Sequence, residues 1–117
     1  MKKLVYICSP FRGNYEDNTE NALIYCRVIM RHCPDVIPIA PHLYFPRFLD
    51  DLDEDERKLG MEAGIALLDN CSEMWVFGID KPSEGMKAEI EHAEKCGIPV
   101  KDGFNLLVKI IAGTSKG

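Results

Sequence analysis

Short, continuously apolar runs alternate along this chain with stretches whose apolar residues recur every three or four positions. Residues 4–8 (LVYIC) form a β-favouring run that stops at Ser9-Pro10, the pattern of a strand buried on both faces. After a turn-rich loop, Asp17 or Asn18 can cap a helix to about His32 that turns Ala22, Tyr25, Cys26, Ile29 and Cys33 inward. Pro34-Asp35 ends that helix. Residues 36–40 (VIPIA) predict a second strand, placed at a sheet edge by Pro38, which has no N–H to donate. Residues 53–70 predict a helix with two apolar faces: Leu59, Ala63, Ala66 and Leu67 on one, Met61, Ile65 and Leu68 nearly opposite. Residues 73–77 (EMWVF) give a third strand with Trp75 in the core, and residues 98–100 a short fourth. The apolar run at 104–111 fits a helix or a strand, and the small polar residues at 114–117 read as a flexible tail behind one domain of residues 1–113.

Strands that alternate with helices imply right-handed crossovers and a parallel sheet between helical layers. The predicted fold is a single α/β, doubly wound, Rossmann-like or flavodoxin-like sheet in the order 2-1-3-4, with helices on both faces. In that order the winding reverses between strands one and three, so a ligand crevice is expected at their carboxyl ends. Two loops border it, residues 9–14 and 78–85. The long connection at 41–49, rich in proline and aromatic residues, has the composition of a segment that covers a site.

One residue in the stretch after that crevice breaks the pattern. In a helix from about Ser83, the residues Met86, Ile90, Ala93 and Gly97 form the sheet-facing stripe, while Lys87, Glu91, Glu94 and Lys95 take the solvent side. Glu89 falls within the apolar stripe. An unpaired buried charge costs roughly several kcal/mol, so either its head reaches outward along the rim or it serves the crevice. Because a helix leaving strand three presents its first two turns to the crevice, Glu89 is the leading candidate for chemistry. Arg12, the Ser83 hydroxyl and the N–H groups of Gly85 and Met86 would make a phosphate cradle; the plainer reading has Arg12 as a surface charge and Ser83 as a helix cap. His42 can contact a base or phosphate, titrate as an acid, or be structural. Tyr44, Phe45 and Phe48 can stack on a base or anchor their loop to the core.

Composition narrows the classes. With 46% hydrophobic and 28% charged residues and a net charge of −5 from scattered charges, the 117-residue chain reads as soluble and globular, without grip on a nucleic-acid duplex. Its apolar runs fall short of the ~18 residues of a membrane span, so no membrane partner is expected. Five cysteines without a CxxC pair, and a start that runs straight into a strand instead of a signal peptide, suggest reduced, mostly buried thiols in a cytoplasmic protein. The acidic run at 50–56 lacks the alternation and glycine of a calcium loop and reads as a helix start. Patterns for dinucleotide and triphosphate binding are missing, and no metal or cofactor is expected. A small domain cannot bury both faces of the 53–70 helix, so the Met61, Ile65 and Leu68 face is expected to form a homo-oligomer contact.

Two motifs carry a family resemblance. The segment Tyr6-Ile7-Cys8-Ser9-Pro10-Phe11-Arg12-Gly13 resembles the opening strand and loop of nucleoside 2-deoxyribosyltransferase-like proteins, and the segment from Ser83 to Ala93 resembles their nucleophile motif, with matching spacing from Gly85 to Glu89. The pair Arg12-Gly13 and Pro82-Ser83-x-Gly85 is most similar to the deoxynucleoside 5′-monophosphate N-glycosidases, and the chain as a whole looks like a bacterial and phage branch of the superfamily. The resemblance implies a nucleoside or nucleotide ligand and attack by Glu89 on the anomeric carbon, with Tyr6, Ser9, Pro10, Arg12, Gly13, Ser83, Gly85 and Met86 around the substrate. It also implies an oligomer. Where characterised members carry an Asp that helps protonate the leaving base, this chain has Ile65. Glu62 is the expected substitute, with Asp69 and His42 as further acids; Glu62 also reads as a solvated helix residue. Without such an acid, the same crevice would be a non-catalytic nucleotide-binding module.

Overall fold

The structure is a computed structural model and describes residues 1–115. Strands β1 (Lys3–Cys8), β2 (Val36–Ile39), β3 (Glu73–Val76) and β4 (Val100–Asp102) alternate with helices α1 (Tyr15–His32), α2 (Glu54–Leu68), α3 (Glu84–Lys95) and α4 (Gly103–Ser115). All strand pairs are parallel and the order is β2-β1-β3-β4, as expected. Pro38 lies on the edge strand, paired in register with Val5.

The period-2 pleat of β1 divides the core. Val5 and Ile7 pack with Ile29, Trp75, Phe77 and Leu107 on the side of α1 and α4. Tyr6 and Cys8 pack with Leu68, Met74, Val76 and Met86 on the side of α2 and α3. The predicted inner face of α1 is in place: Ala22 and Ile29 are fully buried, and Tyr25, Cys26 and Cys33 pack against that core. Trp75 is buried and donates from Nε1 to Glu73 at 2.6 Å. Burial alone would raise the Glu73 carboxyl, but hydrogen bonds from Trp75, Lys101 and Lys3 hold it below the usual range.

Several expectations are corrected. On α2 the two apolar faces exchange roles: Gly64 and Leu68 are buried and Ile65 packs on the core, while Leu59, Ala66 and Leu67 stand exposed. Of the face expected to meet another subunit, Ile65 and Leu68 pack on the core, while Met61 stands exposed. β4 starts two residues late, since Pro99 contributes only its carbonyl, which accepts from the Met74 N–H at 2.8 Å. Run 104–111 is helical, and the Asp102 carboxylate accepts the Asn105 N–H at its start, an N-cap. The expected tail at 114–117 overlaps the end of α4, and residues 116–117 lie outside the described residues. All five thiols are free, yet only Cys8 and Cys71 are buried; Cys26 and Cys33 are half-buried and Cys96 is exposed. No helix among the described residues is long and apolar enough to cross a membrane.

Gly103 opens α4 directly beneath Phe77. A Cβ there would come within 2.6 Å of the Phe77 ring. That ring is buried, stacked on Tyr25 at 4.1 Å between centroids and edge-on to Phe104 at 5.2 Å, so it has nowhere to retreat. Gly103→Ala is therefore expected to cost about 1–3 kcal/mol, because overpacking outweighs the ~1 kcal/mol that alanine gains as a helix former. Urea unfolding of the variant measures it.

Candidate active site

The crevice lies where the winding reverses. A cleft of about 450 Å³ opens at the carboxyl end of β1 beside the segment that follows β3, walled by α2 from Glu56 to Ile65 and by the first half of α3, and roofed by two 3-10 turns, Pro41–Leu43 and Phe45–Arg47. That volume suits a small ligand of nucleoside size.

Glu89 is on its wall. The Met86–Ala93 stripe of α3 seats the helix on the sheet, and this fixes Glu89 over β1. Its carboxylate accepts hydrogen bonds from the Tyr6 hydroxyl and, at 3.7 Å, from the Cys8 thiol. Burial pushes the Glu89 carboxyl above the ordinary value of 4.5, and the two hydrogen bonds pull against that rise. Burial and the adjacent carboxylate push both Tyr6 and Cys8 up, which keeps them protonated and donating. Removing the phenol removes one of the two opposing hydrogen bonds. In Tyr6→Phe the Glu89 carboxyl is expected to rise further, so the acid limb of any activity that needs the carboxylate moves to higher pH. A pH–rate profile that stays in place would count against that coupling.

Opposite Glu89, Ser9 Oγ lies 3.1 Å from His42 Nε2, with the Phe11 ring 5.9 Å from the imidazole. Burial lowers the His42 pKa to about 4, so the ring is neutral at neutral pH. That favours the ring as a hydrogen-bonding partner of Ser9 there. Ser83 caps α3 by accepting the Met86 N–H at 3.3 Å, and the neighbouring first-turn residues Glu84 and Gly85, whose N–H groups have no intrahelical acceptor, line the cleft. A Cβ at Gly85 would meet nothing within 4 Å, so packing within the chain does not require glycine at that spot.

Arg12 reaches the cleft mouth and pairs through Nε with Asp51 at 2.9 Å; Arg57 Nε lies 4.0 Å from the same carboxylate. Both pairs are half-exposed, worth about 0–1 kcal/mol, and easily exchanged for a bound anion. Beyond Arg12 and Asp51 lies a wider depression of about 790 Å³, and Gly13 borders that one and not the cleft. Pro10 borders neither.

The structure thus brings Tyr6, Ser9, Arg12, His42, Ser83, Gly85, Met86 and Glu89 together. It does not bring Glu62, which is exposed on the far side of α2, or Asp69, which hydrogen-bonds His92 at 2.6 Å. Ile65 lines the cleft instead. Of the loop aromatics, Phe45 faces the cleft, while Tyr44 and Phe48 pack edge-on to it and to each other and are more than half exposed, so they do not anchor the loop in the core. Cys8, Asp51 and Arg57 were missing from the sequence-derived site. Cys8 had a readable signal, since it is two residues from Tyr6 and so on the same face of β1.

A family model described as Domain of unknown function (DUF7768) matches residues 3–102. The chain belongs to that family. No curated protein matches the chain. Among solved structures, this DUF7768 chain is similar to the 2-desoxiribosyltransferase from Leishmania mexicana, with a TM-score of 0.57 at 17% identity over 84% of this chain. It spans 61% of that protein's length. At this identity the likeness concerns the fold, and at that level it agrees with the resemblance carried by the two sequence motifs.

Proposed function

We propose that the chain cleaves or transfers the N-glycosidic bond of a (deoxy)nucleoside or its 5′-monophosphate, with Glu89 as nucleophile. The observation that carries this is the Glu89 carboxylate, half-buried on the cleft wall and oriented by Tyr6 and Cys8. Burial leaves it poorly solvated and raises its pKa, which suits attack on a centre that develops positive charge. In this reading Glu89 bonds to the anomeric carbon as the carbon–nitrogen bond breaks. The base leaves and takes a proton from water in the open cleft, and water, giving up a proton, or a second base then displaces Glu89. The 5′-phosphate rests against the start of α3, with Arg12 or Arg57 released from Asp51 to meet it. The open space before Gly85 then has an occupant. Ser9 and His42 offer the departing base a polar pair.

A second reading, nucleotide binding without turnover, is favoured by one observation: Ile65 occupies the wall, and neither Glu62 nor Asp69 reaches it. One assay separates the two. Free base is measured chromatographically from a panel of ribo- and deoxynucleosides and their 5′-monophosphates, with Glu89→Ala alongside. Release by the wild type and not by the variant supports the glycosidic chemistry. No release from any compound, together with thermal stabilisation by one of them, supports the binding module.

A further inference from the structure

α2 and α3 lie on the same face of the sheet and run in the same direction, so the cleft lies between them on the side of their amino ends and their carboxyl ends meet at the opposite pole. Three donors of different chemistry converge there. Asp69 is the C-cap of α2, Cys96 is the C-cap of α3, and His92 stands one turn before Cys96. His92 Nε2 lies 2.6 Å from Asp69 Oδ1 and 3.5 Å from Cys96 Sγ, and Sγ lies 3.9 Å from Oδ1. A nucleophilic triad would put the carboxylate on one imidazole nitrogen and the thiol on the other. Here both meet the same nitrogen, so one ligand atom from each of the three side chains lies within 3.9 Å of the other two.

Tetrahedral zinc, with bonds of about 2.0–2.3 Å, separates its ligand atoms by about 3.4–3.6 Å. The imidazole–thiol spacing already fits, and the exposed Asp69 carboxylate needs to back away by under ~1 Å. The carboxyl ends of two helices add partial negative charge. Cys96 is held firmly: Gly97 follows at φ 72°, its N–H bonds to Glu94 O at 3.2 Å, and Ile98 N–H bonds to Ala93 O at 2.8 Å, a closed helix stop. Asp69 and His92 are partly exposed, so a fourth position opens to water.

We propose that Asp69, His92 and Cys96 bind a divalent metal ion of zinc-like preference, clipping together the far ends of the two helices that wall the cleft. A thiolate with an imidazole and a carboxylate selects zinc over magnesium or calcium. The site was not legible in the sequence because its donors come from two helices, with none of the close cysteine pairs that mark a zinc loop.

The test uses the full chain with Zn²⁺, and with Co²⁺ as a spectroscopic probe. One equivalent of Zn²⁺ is expected to bind and raise the thermal midpoint, and Co²⁺ to give a thiolate charge-transfer band. Cys96→Ser should lose that band, and the half-buried control Cys33→Ser should keep it. His92→Ala and Asp69→Asn should each weaken Zn²⁺ binding by more than about 100-fold, beyond what loss of an outer partner costs. All three positions are at solvent-facing helix ends, so metal-free midpoints should fall by no more than the few degrees that loss of the partly exposed Asp69–His92 pair causes. No cobalt band in the wild type, a band that survives Cys96→Ser, or Zn²⁺ affinity unchanged in His92→Ala would overturn the proposal.

Discussion

Glu89→Gln is expected to lose base release by at least about 10³-fold and, in the same protein, to unfold at a higher temperature at neutral pH. The first effect follows from removing the group proposed to make the glycosyl bond. The second follows from burial. The folded Glu89 pKa is raised above its unfolded value, so the native state holds that proton more tightly than the unfolded chain does. Its contribution to stability is fully present below the ordinary value of 4.5 and is lost as pH rises through the folded pKa. Above that window the native protein holds a carboxylate whose burial works against it. Glutamine keeps the Tyr6 hydrogen bond without the charge, so the gain in midpoint should shrink as pH falls through the same window. Scanning calorimetry at several pH values measures this. A variant less stable than the wild type at every pH would show that Tyr6 and Cys8 more than repay the burial.

Ile65→Asp is expected to raise base release by about 10²-fold or more, the range for a well-placed general acid. Ile65 shares the cleft wall with Glu89, and an aspartate set among the apolar residues it touches would have its pKa raised and retain a proton for the leaving base. It should also add a basic limb to the pH–rate profile and cost some stability. Assay and chemical denaturation of the same preparation record both effects. An unchanged rate with an unchanged pH profile would mean that base protonation is not limiting, or that the Ser9–His42 pair already supplies it.

Much of this arrangement was legible in the residues. The continuous run at 4–8 gave a doubly buried strand, Pro38 gave an edge, and Glu89 announced itself as the one charge in an apolar stripe. The faces of α2 were not legible by hydrophobicity alone, because both offer three or four apolar side chains. Its glycines held the missing signal. Gly60 and Gly64 lie four residues apart in line with Leu68, a stripe that lets neighbours come close: a Cβ at Gly60 would touch Leu49 of the covering loop, and one at Gly64 the Tyr6 hydroxyl, each at 3.5 Å. Asp51 and Arg57 were not placed at the site, because an acidic run before a helix reads as solvated. Their meeting with Arg12 depends on a loop path set by the two 3-10 turns.

The two borders of the sheet limit how copies of this chain can join. β2 is four residues long with a proline inside it, and β4 is three residues long, carries Lys101 and passes at once into α4. Neither offers the run of free donors and acceptors that would let a second chain continue the ladder. Growth by strand addition, the route to fibrils and swapped sheets, is thus closed on both sides. Self-association is left to helix surfaces, among them the exposed Leu59, Ala66 and Leu67 side of α2.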